Sequence, residues 1–423
     1  MAFTPEDLRE RLAALPAVDE YQIAFSGGLD STVLLHALTA IVSGSGPALQ
    51  AVHVHHALHP QADNWAEHCR QVCAALDVPF RLVRVDAGAK RGESPEAAAR
   101  EARYRALRSA IKAGVCLLTA HQQDDQAETL LLQLLRGSGP AGLAAMPGIT
   151  RFGDGWHVRP LLDFTRRELA DYAAARGLSW IDDPSNWDIE PDRNFIRHEI
   201  MAALRARWPS STRTLARAAG LQAEVSTLLG ELANQDLAVL AGSRADTLSI
   251  AALRGLSGPR QRNAIRHWLI GLRLPLPTQT QLEHVLIGVV GARGDRSPVI
   301  AWHGVEVRRY RDNLYAMPPL PAHDPNMVLP WDTREPLNIP HLGVTLESSL
   351  LESSGIADAA ARSDITIRFR RGGERCRPRG RRHHHDLKKL FQEAGVPPWE
   401  RDRIPLVYVG ERLTAVIGYW ECE

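Results

Sequence analysis

The chain has little of what would place it outside a cell or in a membrane. Its 423 residues include only five cysteines, and they are scattered, which argues against a disulfide scaffold. Cys69 and Cys73 lie one helical turn apart and form a stripe with Val72 and Leu76. That spacing belongs to a packed core rather than to redox or metal work. No apolar run approaches the length of a bilayer span. Met1-Ala-Phe-Thr-Pro-Glu-Asp7 is neither basic nor apolar enough for a signal peptide, so a cytoplasmic protein with no membrane partner is expected. An excess of one charge is also missing: 50 Lys and Arg face 49 Asp and Glu. Any nucleic-acid partner must therefore be read from local clusters. There is no internal repeat, and no biased tract beyond one proline-rich stretch. What remains is an ordinary globular composition, 44% hydrophobic and 23% charged, long enough for two or three domains.

Against this background Tyr21-Gln-Ile-Ala-Phe-Ser-Gly-Gly-Leu-Asp-Ser31 stands out. Gln22 to Phe25 read as the end of a buried strand. Ser26, Gly27, Gly28, Leu29, Asp30 and Ser31 read as a tight loop, and Thr32 to Leu38 as an apolar helix. Two glycines let the backbone close around phosphate oxygens, and the following helix aims its free N–H groups at the same anion. Ser26 and Ser31 offer hydroxyls, and Asp30 offers a carboxylate for Mg²⁺. The lysine of the GxxxxGK[ST] loop is absent. The hexapeptide resembles the SGGxDS loop of the N-type ATP pyrophosphatases. That resemblance implies attack of a substrate oxygen on the α-phosphate of ATP, loss of pyrophosphate and an adenylated substrate.

The first two hundred residues alternate strand and helix. Strands are expected at Leu49–His55, Phe80–Val85 and Val115–Ala120, with helices over Gln61–Leu76, Ser94–Ala113 (Ser94-Pro95 acting as cap and first position) and Asp124–Leu135. Repeated βα units predict a parallel sheet covered on both faces, with ligands beyond the strands' carboxyl ends. That rule gathers Ser26, His53 to His56, and His121 to Glu128 on one rim. From about Arg213 the pattern turns helical, at Leu215–Leu240, Pro259–Leu272 and Gln279–Val290, and then gives short strands over Val299–Tyr315. Pro318 to Pro340 reads as a connector. The fold class is thus α/β: a nucleotide-binding domain (1–212), a mainly helical domain (213–317), and a connector with a basic α+β domain (318–423).

His121-Gln-Gln-Asp-Asp-Gln-Ala-Glu-Thr129 places Asp125 and Glu128 on one helical face at the rim. There one could bind Mg²⁺ and the other could hold an incoming amine. Acidic residues also suit a helix start by themselves. Further on stand Leu135-Arg-Gly-Ser-Gly139, Asp182-Asp-Pro-Ser-Asn186 and Arg193-Asn-Phe-Ile-Arg197. SGGLDS, ARYRAL, HQQDDQAET, LLRGSG, DDPSN and RNFIR, in that order, resemble the tRNA(Ile)-lysidine synthetase family, and the tail from Leu387 to Leu406 is similar as well. The resemblance implies adenylation of the wobble cytidine of a CAU-anticodon isoleucine tRNA, followed by displacement of AMP by free lysine. It assigns Asp30 and Asp125 to Mg²⁺ and the transition state, and Glu128, with Asp125, to the lysine amine. It gives Arg103 (Arg100 second) the task of neutralising phosphate, and Arg136, Arg193, Asn194 and Arg197 contacts to tRNA. ATP and Mg²⁺ are the expected co-substrate and cofactor. The expected partners are the tRNA and free lysine, and a homodimer.

The chain departs from the family pattern at Gln122, where a second histidine is common, and at His55, where asparagine is. It also departs near His59, where an arginine is common, and at Asp192, where an aromatic is usual. The run Arg368 to Arg382 with His383 to His385, Lys388 and Lys389 is the basic patch of note. Arg377, Arg379, Arg381, Lys388 and Lys389 are expected RNA contacts, with a solvated loop as the bland reading. The adjacent histidines lack zinc-site spacing. A thiolase of the same superfamily would need a CxxC pair, which Cys69 and Cys73 do not form. An amide-forming synthetase would need an ammonia source, and nothing in the chain resembles one.

Overall fold

The computed structural model describes residues 3–42, 46–56, 59–86, 88, 95–292, 298–347 and 365–423, in two compact units, 1–231 and 232–423. Ser94, the expected cap, lies outside the described residues.

The first unit is built on a six-stranded sheet of order β3-β2-β1-β4-β6-β5. Its strands are β1 (Glu20–Ala24), β2 (Ala48–His55), β3 (Phe80–Arg84), β4 (Val115–Leu118), β5 (Ile149–Phe152) and β6 (Gly155–Val158). The pairs β1–β2, β2–β3, β1–β4 and β4–β6 are parallel. Only the edge pair β5–β6 is antiparallel, an addition the βα pattern does not announce. Val115, Cys116, Leu117 and Leu118 are all buried, as a central strand covered on both faces requires. One cover holds α1 (Pro5–Ala13), α2 (Leu29–Ile41), α3 (Ala62–Ala75) and α7 (Arg166–Ala175); Leu34, Leu38, Cys69, Cys73 and Tyr172 share its core. The other is formed by α4 (Pro95–Ala110), whose Leu107 meets Val52, Leu117 and Phe152. The chain runs outward from β1 through β2 to β3 and then returns to the other side of β1 at β4. The crevice between the carboxyl ends of β1 and β4 is the topological switch point. Beyond β4 follow α5 (Gln123–Leu135), the single-turn α6 (Pro140–Leu143), and a helical run of α8 (Asp192–Phe195), a π turn (Ile196–Ile200) and α9 (Met201–Arg207). α10 spans Ser211–Val239.

In the second unit, helices at Ile250–Arg254, Gly258–Gly271 and Gln279–His284 pack on a four-stranded antiparallel sheet. Leu253, Ile265, Leu269, Val305 and Val307 form that core. Where two or three short strands are expected over 299–315, the sheet has three, at Val299–Trp302, Val305–Tyr310 and Asn313–Met317. The stretch from Pro318 to Pro340 is not a bare connector. Val328–Pro330 pairs antiparallel with Ile365–Arg368, and Trp331 is buried in the adjacent core. The apolar Met327-Val-Leu outweighs the flanking prolines, and Pro330 sits in an edge strand, where a missing N–H costs no ladder bond. The scattered cysteines also yield one bridge, Cys376–Cys422, whereas Cys69, Cys73 and Cys116 are free and buried.

Candidate active site

The loop after β1 is braced by its own side chains. Ser26 Oγ lies 3.0 Å from Ser31 Oγ and accepts from the Gly28 N–H at 3.3 Å, while Ser31 Oγ donates to the Gly28 carbonyl at 3.0 Å. Thr32 Oγ1 donates to the Gly27 carbonyl. Gly27 has φ +83°, and a Cβ there would come within 2.6 Å of Ile181 Cδ1 and 2.8 Å of Cys69 Sγ, so both its backbone and its surroundings demand glycine. The Ile181 N–H donates to the Gly27 carbonyl at 2.8 Å, tying the loop to the segment before Asp182. Gly28 is the N-cap of α2 without a side-chain cap, which leaves its first N–H groups for an anion.

Asp30, in the first turn of α2, has a buried Oδ1 with no hydrogen-bond partner. Burial, then the nearby Asp125 carboxylate, push its acid up to about 7, against the pull of Arg166 and Arg197. A buried carboxylate raised by its neighbours and lacking a donor fits a site for a hard divalent cation. Among the described residues no three His, Cys, Asp or Glu side chains form a ready cage. Mg²⁺ takes one or two carboxylates and fills the rest of its shell with phosphate and water.

α5 brings the acidic residues to the same place. Gln122 caps the helix by accepting from the Asp124 N–H at 2.6 Å, and Asp125 Oδ2 returns the bond by accepting from the Gln122 N–H at 3.0 Å. The glutamine at the departure position 122 thus serves as a helix cap. Asp125 Oδ1 accepts from Arg193 at 2.8 Å and Arg197 at 3.2 Å. Glu128, 1% exposed, accepts from Arg193 Nε at 3.1 Å and from Arg197 Nε and Nη2 at 2.7 and 2.9 Å. The two arginines and two acids interlock, because positions four apart on one helix face positions three apart on the other. Burial alone would raise Asp125, but Arg193, His121 and Arg197 hold it below the ordinary carboxylate range. Burial likewise works against the Arg197 charge, and Glu128 and Asp125 more than offset it.

Asp124 has a different task. Its oxygens accept from Arg205 at 2.6 Å and from the Arg166 N–H at the start of α7 at 2.9 Å. A cavity of about 340 Å³ opens here, lined by Asp124, Glu128, Arg166, Arg167, Arg197 and Arg205. The lining carries charges of both signs.

On the neighbouring rim, His53 Nδ1 is 2.8 Å from the Phe25 carbonyl. His56 is lowered to about 4 by burial and then by the Arg103 charge. Burial, then Arg159, His121 and Arg100, lower His157 to about 3; Thr119 Oγ1 bridges His121 and His157 at 2.9 Å each. Arg100 and Arg103 both lie over the Tyr104 ring, at 5.0 and 5.6 Å from its centroid.

Other expected residues are placed elsewhere. Asn194 donates to the Ser185 and Asp188 carbonyls at 3.0 and 2.7 Å, bracing the DDPSN loop. Arg136 caps the end of α5 beside Leu135, which is 78% exposed. Arg377, Arg379 and Arg381 belong to the second unit and pair with Glu423, Glu421 and Glu393. Lys388 and Lys389 lie on the helix Leu387–Glu393. The sequence does not reveal that Arg166, Arg205 and Thr212 serve Asp124, since all three lie more than forty residues from it and Arg166 serves through its backbone N–H. The Arg193–Arg197 spacing did carry a signal: it matches the i, i+4 repeat of a helix face.

Residues 7–204 match the PP-loop domain family, 248–315 the TilS substrate binding domain and 365–423 the TilS substrate C-terminal domain. Three curated relatives bear the name tRNA(Ile)-lysidine synthase. One from Coxiella burnetii is 42% identical and spans 100% of this chain and 93% of its own. One from Alkalilimnicola ehrlichii is 45% identical over 98% and 92%. One from Methylococcus capsulatus is 46% identical over 96% and 93%.

Proposed function

The chain belongs to the tRNA(Ile)-lysidine synthases, and from that premise we propose that it joins lysine to C2 of the wobble cytidine in CAU-anticodon tRNA(Ile). Codon reading would change from AUG to AUA. The observation that carries the reading is Asp30: an unpartnered carboxylate oxygen at a phosphate-cradling loop, facing an acid–arginine lattice across the switch point. ATP would lie with its phosphates against Ser26 to Ser31. Asp30 and Asp125 would hold Mg²⁺, which withdraws charge from the phosphates. The cytidine O2 attacks the α-phosphorus and the bond to pyrophosphate breaks. The lysine ε-amine then attacks C2, the bond to the AMP oxygen breaks, and the nitrogen loses a proton.

Carboxylates offer about four acceptor positions each. Three of those on Glu128 and three on Asp125 are filled by Arg193, Arg197 and the Gln122 N–H. Each keeps one acceptor position: that of Asp125 goes to Mg²⁺, and we assign the ammonium of lysine to Glu128, with the Asp125 charge beside it. The cavity at Glu128 supplies Arg166, Arg167 and Arg205 for the lysine carboxylate. Arg103 neutralises phosphate. Arg136, Arg193, Asn194 and Arg197 shape the tRNA-facing rim of the first unit, and Arg377, Arg379, Arg381, Lys388 and Lys389 contact tRNA from the tail. Residues 1–212 carry the chemistry, 213–317 bind substrate and 318–423 bind tRNA; one family match falls inside each division. The protein works in the cytoplasm, alone or as a homodimer. A sulfur-transfer reading finds no support in the thiols: burial pushes Cys69 and Cys116 up to about 12 and Cys73 to about 11, far from a reactive thiolate.

The test is incorporation of labelled lysine into an unmodified CAU tRNA(Ile) transcript with ATP and Mg²⁺. Label that requires ATP and vanishes in Asp30→Ala is the expected result. Pyrophosphate release without label would remove lysine as the nucleophile.

A further inference from the structure

Arg377, Arg379 and Arg381 alternate along the tail, and each is already met by a carboxylate. Arg377 lies 3.2 Å from Glu423, Arg379 3.1 Å from Glu421, and Arg381 2.8 Å from Glu393. The first two partners arrive on one short segment that is stitched to the arginines through its backbone. The Arg379 N–H donates to the Glu421 carbonyl at 3.0 Å and the Glu423 N–H to the Arg377 carbonyl at 2.8 Å. Pro378 and Cys422 form an antiparallel bridge between these bonds. The disulfide Cys376–Cys422 fixes the same two segments covalently across a separation of 46 residues. Two carboxylates two residues apart thus project toward two arginines two residues apart, with a covalent bond beside them.

Side chains so exposed, 39% for Arg377 and 69% for Arg379, gain roughly 0–1 kcal/mol from each pair. A polyanion can therefore displace the carboxylates. What opposes displacement is the tether, which keeps the competing acids at high effective concentration.

We infer that Glu421 and Glu423 are a built-in competitor for the phosphodiester backbone at Arg377 and Arg379, and that the Cys376–Cys422 disulfide latches this competitor in place. The inference rests on the proposed role of these arginines in tRNA binding and adds regulation to it. A dithiol reductant opens the latch. Its thiolate attacks Sγ of Cys422, the less deeply buried of the two residues; the S–S bond breaks, Cys376 leaves as a thiolate and a mixed disulfide forms. The reductant's second thiol then closes its own disulfide, leaving two protein thiols. Residues 421–423 then keep their noncovalent ties alone: ladder bonds to the neighbouring strand, backbone bonds and ion pairs to 377–379, and the packing of Cys422 in its apolar cluster.

The experiment measures binding of the unmodified tRNA transcript against salt, and retention on heparin, for four states of the full chain. These are the oxidised protein, the protein reduced with dithiothreitol, and Glu421→Gln/Glu423→Gln in both forms. The glutamine variant keeps the disulfide and tests charge without risking the fold. Reduction, and independently the glutamine pair, are expected to tighten tRNA binding at least about threefold and to steepen the log–log salt slope by up to about two. Equal affinity and slope in all four states would overturn the inference. So would a response to reduction that the glutamine pair does not share, because the latch would then act through something other than these carboxylates. Heparin retention that rises in both, with no tRNA binding in any state, would sustain the competitor and remove tRNA as its target.

Discussion

Asp30 is the residue whose chemistry is most exposed to test. Its acid is raised from 3.8 to about 7 by burial and by Asp125, so between those values the folded chain holds a proton that the unfolded chain has released. Stability therefore falls as pH rises through this window, is unaffected below it, and stays at its reduced level above it. Asp30→Asn should be more stable than the parent at pH 8 by on the order of 4 kcal/mol and nearly equal to it at pH 4, as urea titration would report. Added Mg²⁺ should restore the parent at pH 8 and leave the variant unchanged; a variant less stable at both pH values would contradict the assignment of a buried, uncompensated charge. Glu128→Gln keeps shape and loses charge, so the apparent affinity for lysine should drop at least about tenfold, the cost of one charged hydrogen bond, with ATP binding little changed. Saturation with lysine at fixed ATP separates the two, and an unmoved lysine curve would take Glu128 out of that role. Gly27→Ala should lose about 1–3 kcal/mol of stability and abolish pyrophosphate release, because φ +83° and the contacts to Ile181 and Cys69 leave no place for a methyl group.

The elements of the first unit were mostly legible in the chain, for a reason particular to each. β4 reads as a buried strand because Val-Cys-Leu-Leu has no polar interruption, and α5 because its cap residues and acidic first turn announce a helix start. The antiparallel β5–β6 edge was not legible: Ile149–Phe152 and Gly155–Val158 are four residues each and carry too short a pattern to declare their pairing. Among the site residues, the loop and the acids could be found from spacing, but their partners could not. Nothing local says that Arg193 reaches back 65 residues to Glu128, or that Arg205 reaches 81 to Asp124. Asn194 shows the converse. Its place in the RNFIR motif suggests an RNA contact, yet the amide is engaged by two carbonyls of the preceding loop. Asn194→Ala should cost about 1–2 kcal/mol and loosen the loop at 183–188, which limited proteolysis within those residues would reveal. Unchanged cleavage there, with weakened tRNA binding, would return Asn194 to direct RNA contact.

At the scale of the whole chain, charge is balanced globally and unbalanced locally, so partner binding depends on where the imbalance is uncovered. In the reduced protein, with the latch open, Arg377→Ala/Arg379→Ala/Arg381→Ala should weaken tRNA binding and flatten its salt dependence by up to about three in slope, while tRNA-independent binding of ATP to the first unit persists. Filter binding at several salt concentrations decides it, and an unaltered slope would make the row a solvated edge. The interlock of Asp125 and Glu128 with Arg193 and Arg197 has a separate consequence, for inheritance. Two acids near residue 126 and two bases near 195 are each costly to bury without the other pair. A crossover that joined residues 1–160 of one relative to 161–423 of another would part them. Unless both parents carried the same four residues, the hybrid would keep one buried set of like charges. Where parents differ at these four positions, residues 125 to 197 should therefore be inherited together, and shuffled libraries should lose recombinants broken between 128 and 193 before any assay of activity is applied.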